Sequence, residues 1–449
     1  MAESLLYILG TLVVALGIGF SIGWHELGHL IPAKLFGVKV PKYMIGFGPT
    51  LFSKKIGETE YGIKLIPLGG YISMIGMYPP SKASTSETSE TDGENGSSSG
   101  RKKFGFFRAM ISAARDAHSQ YIEPGDENRM FYQLPVWKRM IIMLGGPFMN
   151  LILGTVLLTI ALSGIGINQT STTIDQVSAC VPVSSTSVCG PTDPPSPALA
   201  AGLKSGDKIV EINSVKIETW ASSANLLKPD VVNEIKVITP AGDHLTRLVT
   251  PVTAQRPVIE NGTVKLDAKG NQVLGPRPVL GIILASETKP ASIGDSLIAS
   301  GQSVVQVGQM IFNLPAQVAA VGQTTFGAGE RSANGPVSVV GIGQIAGEVA
   351  SNQKATLVQK LQSELGILAS LNFALFAFNL VPLLPLDGGH VAGGVYETLK
   401  KGFFRLMRKP DPGPADTALL MPLTYVVFIL MLAMSALIIV ADLVNPIRF

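Results

Sequence analysis

The chain is short of the residues that most soluble enzymes use for cross-links and surface charge. Its 449 residues include two cysteines, which excludes a disulfide-built scaffold and a four-cysteine zinc site. Only 15% of residues are charged and the net charge is +3, so the basic footprint of a nucleic-acid binder is missing. Histidine is also scarce, with five in the whole chain. Against these shortages stand a 46% hydrophobic fraction and several long apolar runs. That is the composition of a protein whose solvent is partly lipid.

Four of the runs read as transmembrane helices. The first, within residues 1–36, extends from Leu5 to about Leu30 and ends at Pro32. Met1 to Ser4 carries no basic residue, and the run is longer than the apolar core of a signal peptide, so it is expected to stay as a span. The others are expected at 138–163, 365–390 and 419–444. Residues 37–80 are short apolar runs broken by Gly and Pro, with alternation around Gly57-Glu58-Thr59-Glu60. This predicts a membrane-associated β-hairpin or sheet, which either caps the helices or binds substrate. Residues 81–103, rich in Ser, Thr, Glu and Gly, predict a disordered insertion. Phe104, Phe106 and Phe107 among Arg101, Lys102, Lys103 and Arg108 suit either an anionic membrane surface or a solvated loop. Residues 104–137 then form a linker. The stretch 164–285 reads as a compact β-rich domain, in which Ser196 to Asn213 gives a short helix, a Gly-containing turn and a strand. A helical linker at 286–364 and a loop at 391–418 complete the chain.

The chemistry is concentrated near the end of the first run, in His25-Glu26-Leu27-Gly28-His29. On a helix His25 and His29 share a face, so two imidazoles reach one ion, and Glu26 is placed to take a proton from water. Ionisable groups inside a span are costly and usually functional. A third ligand is expected near the end of the third run, Asn379-Leu380-Val381-Pro382-Leu383-Leu384-Pro385-Leu386-Asp387-Gly388. Two prolines break the helix there, and Asp387 is either a ligand or the N-cap of the next helix. His390 packs, caps or ligates. Asn150, inside the second span, needs a partner on a neighbouring helix or at the active site.

Lys and Arg cluster in the loops between spans one and two and between spans three and four, so these loops are expected on the cytoplasmic side. Both termini and the β-rich domain then lie outside. Cys180 and Cys189 fall in that external part and are expected to pair.

Together the pieces resemble the site-2 protease family of intramembrane zinc metalloproteases. The likeness rests on His25 to His29, Gly46-Phe47-Gly48-Pro49, Pro67-Leu68-Gly69-Gly70-Tyr71, Gly146-Pro147 with Asn150, and Asn379 through Gly388. It implies four transmembrane helices, a membrane-associated β-sheet and an extracytoplasmic PDZ-like domain containing Ser196 to Asn213. It implies Zn2+ held by His25, His29 and Asp387, with Glu26 as general base. It implies Asn379 as a group that holds the substrate backbone or the oxyanion, and Asn150 is the further candidate at the substrate. The substrate class it implies is a single-span membrane protein already trimmed by an upstream protease, such as an anti-sigma factor. A metal transporter and a catalytically idle scaffold are the competing classes; Glu26 between the histidines is what neither requires.

Overall fold

Twenty-odd apolar residues in a row can do little but form a helix in lipid, where every backbone N–H and C=O must be satisfied within the segment. The first run does so as α1 (Ala2–Leu35), with Pro32 in its last turn. The computed structural model describes residues 2–79, 109–113, 115, 121–182, 189, 193–223, 226–260, 263–264, 272–327, 331 and 335–446. The insertion expected at 81–103 lies outside them, as does the basic and aromatic stretch from Arg101 to Arg108. The described chain divides into two compact units, 1–165 with 291–449, and 166–290.

In the first unit α1 is followed by β1 (Lys42–Ile56) and β2 (Thr59–Ser73), an antiparallel pair turning at Gly57. Irregular register splits each strand in two. Lys42 to Ile45 pairs with Glu60 to Ile63 on one side and with Gly70 to Ser73 on the other. The second span is α2 (Val136–Thr159), prolonged by a π-helical turn at Ile160–Ile165. Trp137 stacks edge-on to Phe36, and the Lys138 ammonium lies over both rings, which anchors the start of α2 to the end of α1.

The second unit is a six-stranded antiparallel sheet with small additions. Its strands are β3 (Ile167–Val177), β4 (Lys208–Ile212), β5 (Val215–Lys216), β6 (Asn233–Ile238) and β7 (His244–Val249), then β8 (Val252–Pro257), β9 (Ile259–Glu260), β10 (Thr263–Val264), β11 (Leu274–Val279) and β12 (Ile282–Lys289). The sheet order is β12-β3-β4-β6-β7, with β5 on β4. A short helix α3 (Pro197–Ala200), capped by the Ser196 hydroxyl, precedes a turn with Gly202 and Gly206 at positive φ. Ile174, Leu203, Ile209, Ile212, Ile235 and Val237 form the core. Cys180 and Cys189 are joined by a disulfide.

The return to the first unit runs through 286–364, where a helical linker is expected. Three helices occupy it: α4 (Ile293–Phe312), α5 (Leu314–Phe326) and α6 (Val339–Ser351). Helix α4 packs on α2 and on the third span, and α6 packs along α1. On α4, Ser296 and Ser300 are buried whereas Leu297 and Ile298 are exposed. That is the reverse of a helix in water and the ordinary arrangement of one in lipid. The third span is α7 (Leu357–Asn379), opened by a Thr356/Gln359 capping box. It begins earlier than expected and stops at Asn379, because Pro382 and Pro385 cannot continue it. Then come α8 (Asp387–Leu406) and the fourth span, α9 (Met421–Val444). Among the described residues four helices are long and apolar enough to cross a membrane, or five if α4 and α5, bent by 69° at their junction, count as one span.

Candidate active site

Helix α1 delivers His25, Glu26 and His29 to one place, and its neighbours fix each turn. The Tyr43 hydroxyl donates to Gly23 O at 2.6 Å, and Trp24 Nε1 donates to Met149 O at 3.0 Å. Helix α2 reaches α1 closely because both carry glycine at the crossing. A Cβ on Gly28 would lie 2.3 Å from Gly145 O.

Asp387 arrives from the far end of the chain. It is the first residue of α8, and the N-cap position belongs to Leu386, which makes no side-chain cap bond. The carboxylate is therefore free for another task. The turn from Leu380 to Leu386 folds back over the start of α8, where a Cβ on Gly388 would lie 2.3 Å from Val381 O. Midway along α8, Glu397 is buried and accepts from Arg139 of α2 at 2.7 Å, from Lys401 at 2.8 Å and from the Ala415 N–H at 2.8 Å. Burial works to raise the Glu397 carboxyl, but the Lys401, Ala415 and Arg139 donors outweigh it and hold it below the usual range.

Asp387 Oδ2 lies 3.2 Å from His25 Nε2 and 3.3 Å from His29 Nε2, and the two Nε2 atoms are 3.2 Å apart. Ligands about 2.0–2.1 Å from a tetrahedral zinc stand about 3.3 Å from one another, so three corners of such a site are present. Asp387 Oδ2 is buried and receives no hydrogen bond among the described residues. Both imidazoles turn Nε2 inward while their Nδ1 atoms are engaged elsewhere: His29 Nδ1 with Ile142 O at 2.7 Å, His25 Nδ1 with the Asn150 amide at 3.1 Å. The three form the one metal-capable cluster of His, Cys, Asp and Glu among the described residues.

Asn150, for which a neighbouring helix and the active site are the alternatives, is fully buried with its amide against His25. An imidazole that turns Nε2 to a metal carries its hydrogen on Nδ1, so Asn150 must offer Oδ1. That oxygen has no partner among the described residues, and a half-turn of the amide supplies both needs. Asn150→Leu is expected to weaken zinc binding by about 10- to 100-fold, whereas Asn150→Asp, which still accepts, should bind near the wild-type level. Chelator competition measures both. Asn379 closes α7 and remains partly exposed. His390 is a turn beyond Asp387 with its ring beside Tyr78, outside the three-donor cluster.

Two glycines are essential to the shape, and although both lie in stretches that carry the family likeness, residue type and spacing alone do not give their role. A Cβ on Gly146 would lie 2.2 Å from His29 Nε2 and 2.8 Å from His25 Nε2. A Cβ on Gly70 would lie 2.9 Å from Glu26 Cγ. Each keeps open the space that the chemistry occupies.

Comparison with known proteins agrees with this chemistry. The profile of Peptidase family M50 matches residues 13–407. Zinc metalloprotease Rip1 of Mycobacterium tuberculosis is 29% identical over 455 residues, covering 99% of each chain. The Mycolicibacterium smegmatis protein of that name is 31% identical over 453 residues, covering 98% of each. Zinc metalloprotease RasP of Bacillus licheniformis is 26% identical over 411 residues, covering 83% of this chain and 86% of its own. With that match running from within α1 into α8, and so through both histidines and Asp387, the chain belongs to Peptidase family M50, the site-2 proteases, and is a membrane-located zinc metalloendopeptidase.

Proposed function

We propose that His25, His29 and Asp387 hold the zinc ion and that the enzyme cuts single-span membrane proteins within or near their transmembrane segment. The observation that supports this most is the placement of a three-donor cluster on apolar helices, with an open strand edge beside Glu26. When bound, the ion supplies Lewis-acid polarisation of a carbonyl and acidifies water towards a pKa of about 7. Glu26 takes the proton from the attacking water at its carboxylate and passes it to the departing amide nitrogen.

A peptide bond in a spanning helix is hidden, because its carbonyl is bonded within the helix. Substrate must therefore be held extended. The Gly70 to Ser73 segment of β2 pairs with β1 on one side, and no strand takes its other side among the described residues. An unwound substrate adds there by main-chain bonds, and Asn379 holds it from the end of α7. Proline placed in turn at Tyr71 and Ile72 is expected to cost more cleavage than alanine at the same positions, because proline deletes a main-chain donor. Equal losses in chains that still bind zinc reject strand addition.

The substrate we favour is one already trimmed by an upstream protease, such as a single-span anti-sigma factor, so that this enzyme makes the second cut of regulated intramembrane proteolysis. The 166–290 unit, read as PDZ-like, lies on the extracytoplasmic side and limits access to trimmed chains; its Cys180–Cys189 bridge fits an oxidising compartment. Both termini share that side, and the basic loops are cytoplasmic. Co-expression with trimmed single-span proteins, followed by mapping of new fragment ends, tests the proposal. Cleavage only in extramembrane segments counts against it.

A further inference from the structure

The contacts that fix His25 and His29 tie α1 to α2 and to the sheet. Asp387 comes by another route, through α7 and the proline-broken turn that follows it. Whatever fixes α7 against α1 therefore helps to set the distance between the carboxylate and the two imidazoles. We infer that Asn372 is a positioning residue for the zinc ligands, acting through Ser21, an inference that rests on the ligand assignment proposed above.

Asn372 is fully buried and Ser21 nearly so. Asn372 Nδ2 donates to Ser21 Oγ at 2.9 Å and to Leu368 O at 2.8 Å, and Ser21 Oγ donates on to Gly17 O at 2.9 Å. Chemistry fixes every direction in this chain. Leu368 O can only accept, so the amide nitrogen must face it; Ser21 then accepts from the amide and donates to its own helix. The price is Asn372 Oδ1, which stays buried with no donor among the described residues. Apolar side chains would fill the same space without that loss, so the pair does something that packing alone does not.

Its location says what. Ser21 stands one helical turn before His25 on the same face of α1. Asn372 stands two turns before Asn379, where α7 ends and the turn towards Asp387 begins. The next contact outward is Leu368 against Gly17, where a Cβ would lie 2.6 Å from Leu368 Cδ2. A leucine on a bare glycine surface holds two helices close but resists sliding poorly. The directional bond between Asn372 and Ser21 supplies the register, and metal ligands tolerate only about 0.2 Å of error.

Zinc affinity of the purified full-length chain tests this by chelator competition. Asn372→Leu and Ser21→Ala are each expected to weaken binding about 3- to 20-fold, the span of measured interhelical hydrogen bonds in membranes. The double variant should be no weaker than the weaker-binding single variant, because the two residues act as a unit. Cobalt(II) substituted for zinc should show an altered visible spectrum in each variant, a readout of ligand geometry that a packing defect elsewhere does not move. Wild-type affinity and spectrum in both variants overturn the inference, as do losses that simply add. Equal destabilisation of the zinc-free and zinc-loaded forms means unchanged affinity by linkage and overturns it too. His29→Ala serves as the control. If it keeps zinc at wild-type affinity, the ligand assignment itself fails; if it loses zinc while Asn372→Leu does not, only the clamp fails.

Discussion

Glu26→Gln is expected to lower cleavage by about three orders of magnitude while leaving one zinc bound per chain. The substitution keeps the size of a side chain that is buried beside Gly70, so it does not disturb packing. What it removes is the ability to take a proton. Glutamine still accepts a hydrogen bond through its carbonyl oxygen, so substrate and water remain bound. The loss should therefore fall on kcat, with KM little changed. Zinc stoichiometry and single-turnover cleavage of a trimmed single-span protein check both halves. Turnover at the wild-type rate by the purified variant removes Glu26 from the chemistry; loss of zinc in the same variant makes it a structural residue instead. A transporter offers a different outcome, because zinc would then cross liposomes in the unaltered chain and in Glu26→Gln alike, without any peptide being cut.

The residues needed for that argument were legible because they have side chains in a period. Two histidines four apart with a glutamate between them define a helix face by themselves, and Asp387 is announced by the two prolines that end an apolar run. The glycines were visible only as members of the stretches that carry the family likeness, and their roles were not legible. Gly146 and Gly70 act by what they lack, and nothing in a single sequence distinguishes a glycine that makes room for chemistry from one that merely fits a helix crossing. Of the glycines in α1, Gly28 serves the crossing with Gly145, and Gly19 has open space around it. Helix α4 lies in a stretch expected to be helical, but its setting was hidden for another reason. Its polar residues Ser296 and Ser300 face protein and its apolar residues face outward, so a pattern read for water does not tell which face is buried. The register breaks of β1 and β2 were equally invisible, because each comes from a local bulge rather than from the alternation that predicts strands. Asn150 was read as needing a partner, and it has one, but the choice between helix and active site required the fold: its partner, His25, is both.

Gly146→Ala tests whether that emptiness is functional, and its expected effect is loss of zinc rather than loss of fold. The added methyl carbon would sit 2.2 Å from His29 Nε2, 2.6 Å from His29 Cε1 and 2.8 Å from His25 Nε2, on the side where both nitrogens face the ion. Neither ring can retreat easily. His29 is held by Ile142 O at 2.7 Å, and His25 by Asn150 at 3.1 Å. Nor can α2 back away, since Gly28 and Gly145 already bring the two backbones into contact. The rings must therefore turn their Nε2 atoms out of line with Asp387. Zinc affinity should fall by at least about 100-fold, beyond the loss seen when only an outer hydrogen bond is removed. Cleavage should fall with it and recover in part at high zinc. Gly19→Ala is the matched control, because a Cβ there meets nothing within 4 Å, and it should bind zinc and cut as the unaltered chain does. A Gly146→Ala enzyme with wild-type zinc affinity would mean that the ion lies on another side of the imidazoles, and the arrangement of donors argued above would have to be redrawn.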